Sequence, residues 1–367
     1  MSLVLVVGCD QQSDPNGPIA SEDYEVLTVV EGLEHPWGMV FLPAGDGILV
    51  SERPGRLRLI RDGELEPEPI SGVPEVWAEG QGGLLDVALH PNFDENRLVY
   101  LSYSKPGDHG ATTAVARGRL EAEALVDVQD VLVAEAWASG GQHFGSRIIF
   151  DGAGFLYVTV GDRGGMARAQ DLGDHAGTTL RVLEDGGVPE DNPFVDRADA
   201  LDEIFTYGNR NAQGMAIHPE RDEVWQNEHG PRGGDELNRI VAGGNYGWPE
   251  YNFGDHYDGR TIPDPGPDTG TVLPLLHWTP AIAPSGMAIY DGNAFPEWAG
   301  DVFVGALAGE HLRRIRFDGT APVEEEALLA GLGHRIRAVS TGPDGFIYVL
   351  VDAPAAPLLR LEPSAGR

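Results

Sequence analysis

Of the 25 basic residues in this 367-residue chain only Lys105 is a lysine, and Cys9 is the only cysteine. A single cysteine excludes any disulfide within the chain. Positive charge is scarce as well: 25 basic residues face 58 acidic ones, for a formal net charge of −33. A field of that sign repels polyanions and anionic bilayers, so nucleic acid and charged membrane surfaces are poor partners. The plain reading of the acid excess is a solvated surface, and scattered carboxylates say little about acid–base chemistry. No apolar run is long enough to span a membrane. Amphipathic helices of useful length are missing too, apart from a short possibility near Glu121 to Leu125, which argues against a parallel α/β sheet with crossover helices.

What the chain has in quantity is turn residues, 50 glycines and 27 prolines. That composition suits many short strands joined by tight turns. The segment Val6-Val7-Gly8-Cys9 follows the apolar run Leu3 to Val7 and precedes a polar stretch. It resembles the processing site of a bacterial lipoprotein, although the apolar run is short for an export signal. Residues 1–23 therefore read as a truncated lipoprotein-like leader and tether, and residues 24–367 as one domain. The leader implies export to the periplasm or cell exterior, with membrane contact only through a lipid anchor at Cys9.

Six segments repeat one pattern: a polar or glycine-rich approach, a short apolar strand, a turn, and a second apolar strand. With Gly38, Gly83, Gly145, Gly214, Gly286 and Ala338 as markers, the intervals are 45, 62, 69, 72 and 52 residues. The spacing predicts an all-β fold, a six-bladed β-propeller of four-stranded antiparallel blades, since ring closure protects the sheet edges. A two-sheet sandwich is the structural rival. The stretches Asp162 to Leu201 and Gly230 to Thr279 read as long loops, where function tends to concentrate.

In a propeller the innermost strand of each blade lines the axis, and the residues entering it open on one mouth. Here those residues are His35 and Trp37, Gln81, Gln142 and His143, Arg210 with Asn211 and Gln213, Pro284 with Ser285, and Arg335 with Arg337. Convergent histidines, arginines and amides form a candidate ligand site. Three arginines in an acidic protein suit an anionic ligand, unless each is spent on a buried carboxylate.

The motifs Glu34-His-Pro-Trp-Gly-Met, Gly80-Gln-Gly-Gly-Leu-Leu-Asp, Gln142-His-Phe-Gly-Ser-Arg, Tyr207-Gly-Asn-Arg-Asn-Ala-Gln-Gly, Glu228-His-Gly-Pro-Arg-Gly-Gly-Asp-Glu-Leu-Asn and Gly243-Gly-Asn-Tyr-Gly-Trp-Pro follow one another in order. Over about residues 25 to 362 the chain resembles the soluble sugar dehydrogenases that depend on pyrroloquinoline quinone (PQQ), in particular the bacterial aldose sugar dehydrogenases. The resemblance implies a PQQ- and calcium-dependent enzyme that oxidises aldoses to lactones and passes electrons to an external acceptor. It assigns His143 as general base and Arg210 to the quinone carbonyls. Gln81, Asn211, Tyr257, Arg335 and Arg337 are assigned to the cofactor. It gives the carbonyls of Gly230 and Pro231 to the calcium that meets the cofactor, and Glu236 with the Tyr246 carbonyl to a second calcium, Asp235 lying nearby. One position departs from the family: its usual lysine falls at about Ala308, and Arg313 is the neighbouring candidate to replace the charge. Two alternatives stay open, a calcium-dependent propeller lactonase and a ligand-binding propeller without catalysis. The arginines at the mouth, which repel a bare cation, count against the first.

Overall fold

The alternation of short apolar runs with Gly, Pro and Asp turns produces six four-stranded antiparallel sheets in a computed structural model that describes residues 23–364. The leader expected over residues 1–23, Cys9 included, lies outside the described residues except for Asp23. The innermost strands of blades one to six are Pro36–Phe41, Leu84–Leu89, Ile148–Phe150, Ala212–Ile217, Pro284–Ile289 and Ile336–Thr341. In blades one to five the chain then moves outward strand by strand. Blade six differs: its outermost strand is Tyr24–Leu33, from the other end of the chain, which pairs antiparallel with Ala356–Pro363. The ring is therefore closed by main-chain hydrogen bonds between the first and last described strands, and the architecture is the expected six-bladed propeller, not the rival sandwich.

The marker residues of the repeats have a steric cause. Near the axis neighbouring inner strands approach so closely that a Cβ on Gly38 would lie 2.4 Å from Asp86 Oδ1, and one on Gly286 would lie 2.7 Å from the Ala338 Cα. In five of the six blades the inner strand also slips register near its start, as between Pro36 and Met39 or Pro284 and Met287. Such bulges turn the entering residues towards the mouth.

A recurring side-chain latch joins the blades. Ser102 and Thr159, each on the second strand of its blade, donate to the inner-strand or entry carbonyls Ser146 (2.6 Å) and Ala212 (3.1 Å) of the next blade. Ser51 does the same to the Leu85 carbonyl and Asn227 to that of Ser285, at 2.9 Å for the latter. Between the sheets lie apolar clusters, for example Leu49, Leu57, Leu84, Val99 and Leu101 between blades one and two.

Two sequence expectations are corrected. The possible helix near Glu121 to Leu125 is a hairpin turn in which Glu121 pairs with Ala124. The two long "loops" each carry strands: Thr178–Val182 in one, Asp235–Arg239 and Leu276–Trp278 in the other, all hydrogen-bonded into blades three and four. Their Gly, Pro and Asp content belongs to the turns around those strands. Among the described residues no helix is long and apolar enough to cross a membrane.

Candidate active site

Because each inner strand runs away from the mouth, the antiparallel second strand runs back to it. Two sets of residues thus meet there: those entering the first strand and those leaving the second. They enclose a cavity of about 160 Å³, lined by Gln81, Asn211, Gln213, Arg335 and Arg337 from the first set and by Arg53, His229 and Asp352 from the second. A neighbouring hollow of about 180 Å³ is lined by His143, Asp162, Arg210, Pro231, Trp248 and Tyr257. The two are joined by the hydrogen bond from the His143 N–H to Gln81 Oε1 at 2.8 Å.

His143 has a left-handed backbone (φ 54°) at the turn into blade three, which swings its ring away from the strand direction. Its Nδ1 lies 2.6 Å from Asp162 Oδ1. Asp162 is fully buried and also accepts from the Gly164 N–H (2.7 Å) and the Trp248 indole N–H (2.8 Å). Burial alone would raise its pKa, but the hydrogen bond and charge of His143, with the Gly164 and Trp248 donors, hold it below the usual carboxylate value. An ionised carboxylate only accepts, so Nδ1 carries the hydrogen, and in the neutral ring Nε2 is the nitrogen left with a lone pair.

Arg210 reaches the His229 carbonyl (3.4 Å) and the Tyr257 hydroxyl (3.3 Å), with its guanidinium 5.4 Å from the Trp248 ring centroid. Tyr257 is 74% exposed, so this contact sits at the rim. Arg335 and Arg337 both pair with Asp352, at 3.3 and 3.1 Å, and His35 holds the other oxygen of that carboxylate at 3.1 Å. One carboxylate therefore meets two arginines, and the cavity stays net positive. Burial lowers the pKa of Arg337 to about 10, helped by the charges of Arg53 and Arg335 against the opposing pull of Asp352. His229 is driven down to about 3 by burial and then by Arg210, so it is neutral at ordinary pH. Its Nε2 donates to the Pro284 carbonyl at 2.7 Å.

The structure does not bring every expected residue to the mouth. Tyr246 is buried between blades three and four, in the connection after Asp235–Arg239, and Glu236 is buried in blade four, directly across from Glu228 in the neighbouring strand. Burial pushes both carboxyl groups up, and the charge of Glu228 adds to the effect on Glu236. Asn238 Nδ2 bridges them at 3.3 and 3.2 Å, while its Oδ1 is buried without a partner. Two facing carboxylates beside an unpaired amide oxygen are a hard-oxygen donor set, and such a set fits calcium. Among the described residues no three His, Cys, Asp or Glu side chains gather as a metal cluster, so carbonyl and amide oxygens would have to complete the shell. At the mouth, the Gly230 N–H is tied to Asp235 Oδ1 at 2.8 Å. Asp235 also takes the Ile282 and Ala283 N–H groups at 2.7 and 2.8 Å. Asp235 is thus committed to fixing the turn. Among the described residues the Gly230 and Pro231 carbonyls accept no hydrogen bond, which leaves them free for a cation.

Arg313 does not make up for Ala308. It sits on the third strand of blade five facing Glu325 at 3.8 Å and lines neither hollow. The additional cation at the mouth comes from blade one instead, as Arg53. Asp162, Asp352, Arg53 and His229 are site residues that the sequence reading passed over. Their shared signal is position: each follows closely the second strand of its blade.

Comparison with known proteins fits this geometry. Residues 33–360 match the family model for glucose/sorbosone dehydrogenase. The aldose sugar dehydrogenase YliI of Escherichia coli strain K12 is 43% identical, over 94% of each chain. The crystal structure of the soluble aldose sugar dehydrogenase from Escherichia coli in its apo form superposes with a TM-score of 0.90 at 42% identity, covering 93% of this chain and 99% of that one. The PQQ-bound form of an aldose sugar dehydrogenase from Streptomyces coelicolor superposes with a TM-score of 0.78 at 28% identity, covering 95% and 100%.

Proposed function

The chain belongs to the glucose/sorbosone dehydrogenase family, and from that premise we propose that it oxidises aldose sugars at the anomeric carbon to lactones, using PQQ and calcium and an external electron acceptor. The observation that carries the reading is the His143–Asp162 pair opening onto a cavity of unspent positive charge. His143 Nε2 takes the proton of the anomeric hydroxyl, and Asp162 steadies the imidazolium that results. As the O–H and C–H bonds of that carbon break, its C=O bond forms. PQQ, when bound, supplies a two-electron acceptor for the hydride leaving the same carbon. Arg210, which has no carboxylate partner among the described residues, offers its charge to the anion that develops opposite His143. Gln81 fixes the His143 backbone, and the Trp248 indole N–H holds the second oxygen of Asp162.

The positive cavity suits carboxylates, with Arg335, Arg337, Gln81 and Asn211 as the residues that would hold the cofactor and Tyr257 covering it from the rim. The Gly230 and Pro231 carbonyls would hold the calcium that meets it, and Glu236 with the Tyr246 carbonyl a second, structural one. The PQQ-bound Streptomyces relative supports the choice of cofactor. Export to the periplasm or beyond, with Cys9 as a lipid anchor, completes the proposal.

The test is reconstitution. Purified protein given PQQ, calcium, glucose and an artificial acceptor should reduce the dye, and omission of PQQ should abolish the signal. His143→Ala should lose turnover and keep cofactor affinity. If the wild type fails to bind PQQ at micromolar concentration, the reading falls.

A further inference from the structure

Arg53, like Arg210, is a cation of the mouth without a carboxylate partner among the described residues. It follows the second strand of blade one, Ile48–Glu52, and its backbone is pinned on both sides. Its N–H donates to the His35 carbonyl at 3.1 Å, and its own carbonyl accepts from Leu84 N–H at 3.2 Å. A Cβ on Gly83 would lie 2.0 Å from that carbonyl, so the approach of the two loops admits only glycine there. From this fixed base the guanidinium reaches the Gly82 carbonyl through Nε at 3.4 Å and the Gly80 carbonyl through Nη2. Those bonds use two of five N–H donors, and among the described residues no carboxylate lies within ion-pair distance. Arg335 and Arg337 share Asp352, whereas Arg53 adds a full positive charge to the same cavity wall. The mutual repulsion is visible at Arg337, which Arg53 helps to deprive of affinity for its proton. Three guanidinium groups against one carboxylate around a 160 Å³ space lack counter-charge, and an anionic ligand supplies it.

Resting on the function proposed above, we propose that Arg53 anchors the cofactor, pairing with one of its carboxylates from the side of the cavity opposite blade four. The same side chain supports the Gly80–Gly82 turn, which holds Gln81 against the His143 N–H. An anion bound at Arg53 is thereby tied through one short turn to the backbone of the catalytic histidine.

The experiment is equilibrium binding of PQQ, with calcium present, followed by titration calorimetry on wild type and on folded Arg53→Gln, Arg53→Lys and Arg313→Gln. Loss of one charge-assisted pair predicts a dissociation constant weaker by about 10- to 100-fold for Arg53→Gln. It also predicts a shallower salt dependence for that variant. Arg53→Lys keeps the charge but not the planar fork and should fall between wild type and Arg53→Gln, and Arg313→Gln should match wild type. For PQQ trimethyl ester, which lacks the carboxylate charges, wild type and Arg53→Gln should converge. If the wild type binds PQQ and Arg53→Gln binds it within twofold, the anchoring role is overturned and the dehydrogenase reading stands. If Arg53→Lys is folded yet as weak as Arg53→Gln, charge is not what Arg53 contributes. If the wild type itself does not bind, the functional reading fails first.

Discussion

Asp162 determines which nitrogen of His143 can act. An asparagine there could turn its amide N–H towards Nδ1, moving the imidazole hydrogen to Nε2 and leaving no base facing the substrate. Asp162→Asn should therefore cut kcat by about 10³-fold. PQQ affinity, read by titration calorimetry, should change little, while stopped-flow reduction of the bound cofactor by sugar measures the loss in rate. A loss below tenfold would mean that ring orientation is set elsewhere. Asp352 makes a second residue-scale prediction. Burial would raise its pKa, but the Arg337 charge, the His35 hydrogen bond and Arg335 hold it well below the usual range. A depressed folded pKa contributes stability that is complete above the unfolded value of about 3.9 and is lost as pH falls through the lower folded value. The gap in Tm between wild type and Asp352→Asn should thus be wide and level from pH 7 to about 5, and should close in stronger acid. A gap that widens on acidification would refute the assignment.

At the scale of the strand, the inter-blade latches are the testable part of the architecture. Ser102 accepts from the Asp86 N–H at 2.8 Å and donates to the Ser146 carbonyl of the next blade, with no solvent exposure. Ser102→Ala leaves two buried main-chain groups unpaired and should cost about 2 kcal/mol in denaturant unfolding. A cost below 0.5 kcal/mol would demote the latch to mere packing. The same scale shows how far the sequence could be read. The entering residues His143, Arg210, Arg335 and Arg337 were legible because their motifs precede strongly apolar strands. Arg53, Asp162, His229 and Asp352 were not, although the antiparallel return of the second strand puts them at the same mouth. Asp162 and Asp352 also hide among 58 acidic residues, most of which carry no such meaning. The strands within 178–182 and 235–239 were hidden for a different reason: Thr178–Val182 and Asp235–Arg239 contain many polar side chains, buried by neighbours that local hydropathy does not reveal.

For the whole molecule, six unequal repeats announced a ring, since no unit can cover its own faces. How the ring shuts was not announced. Tyr24–Leu33 looks like the start of a first blade, and only its partner strand, Ala356–Pro363 near the other end of the chain, makes it the last strand of the sixth. That seam sets an order on biosynthesis. Among the described residues the first strand, Tyr24–Leu33, has no seat until Ala356–Pro363 has been made, so until then the edges that meet at the seam stay unpaired. Keeping those edges covered is a demand the seam adds to that of forming each blade, and removing Tyr24–Leu33 would leave the sixth blade with three strands and the circle without its clasp.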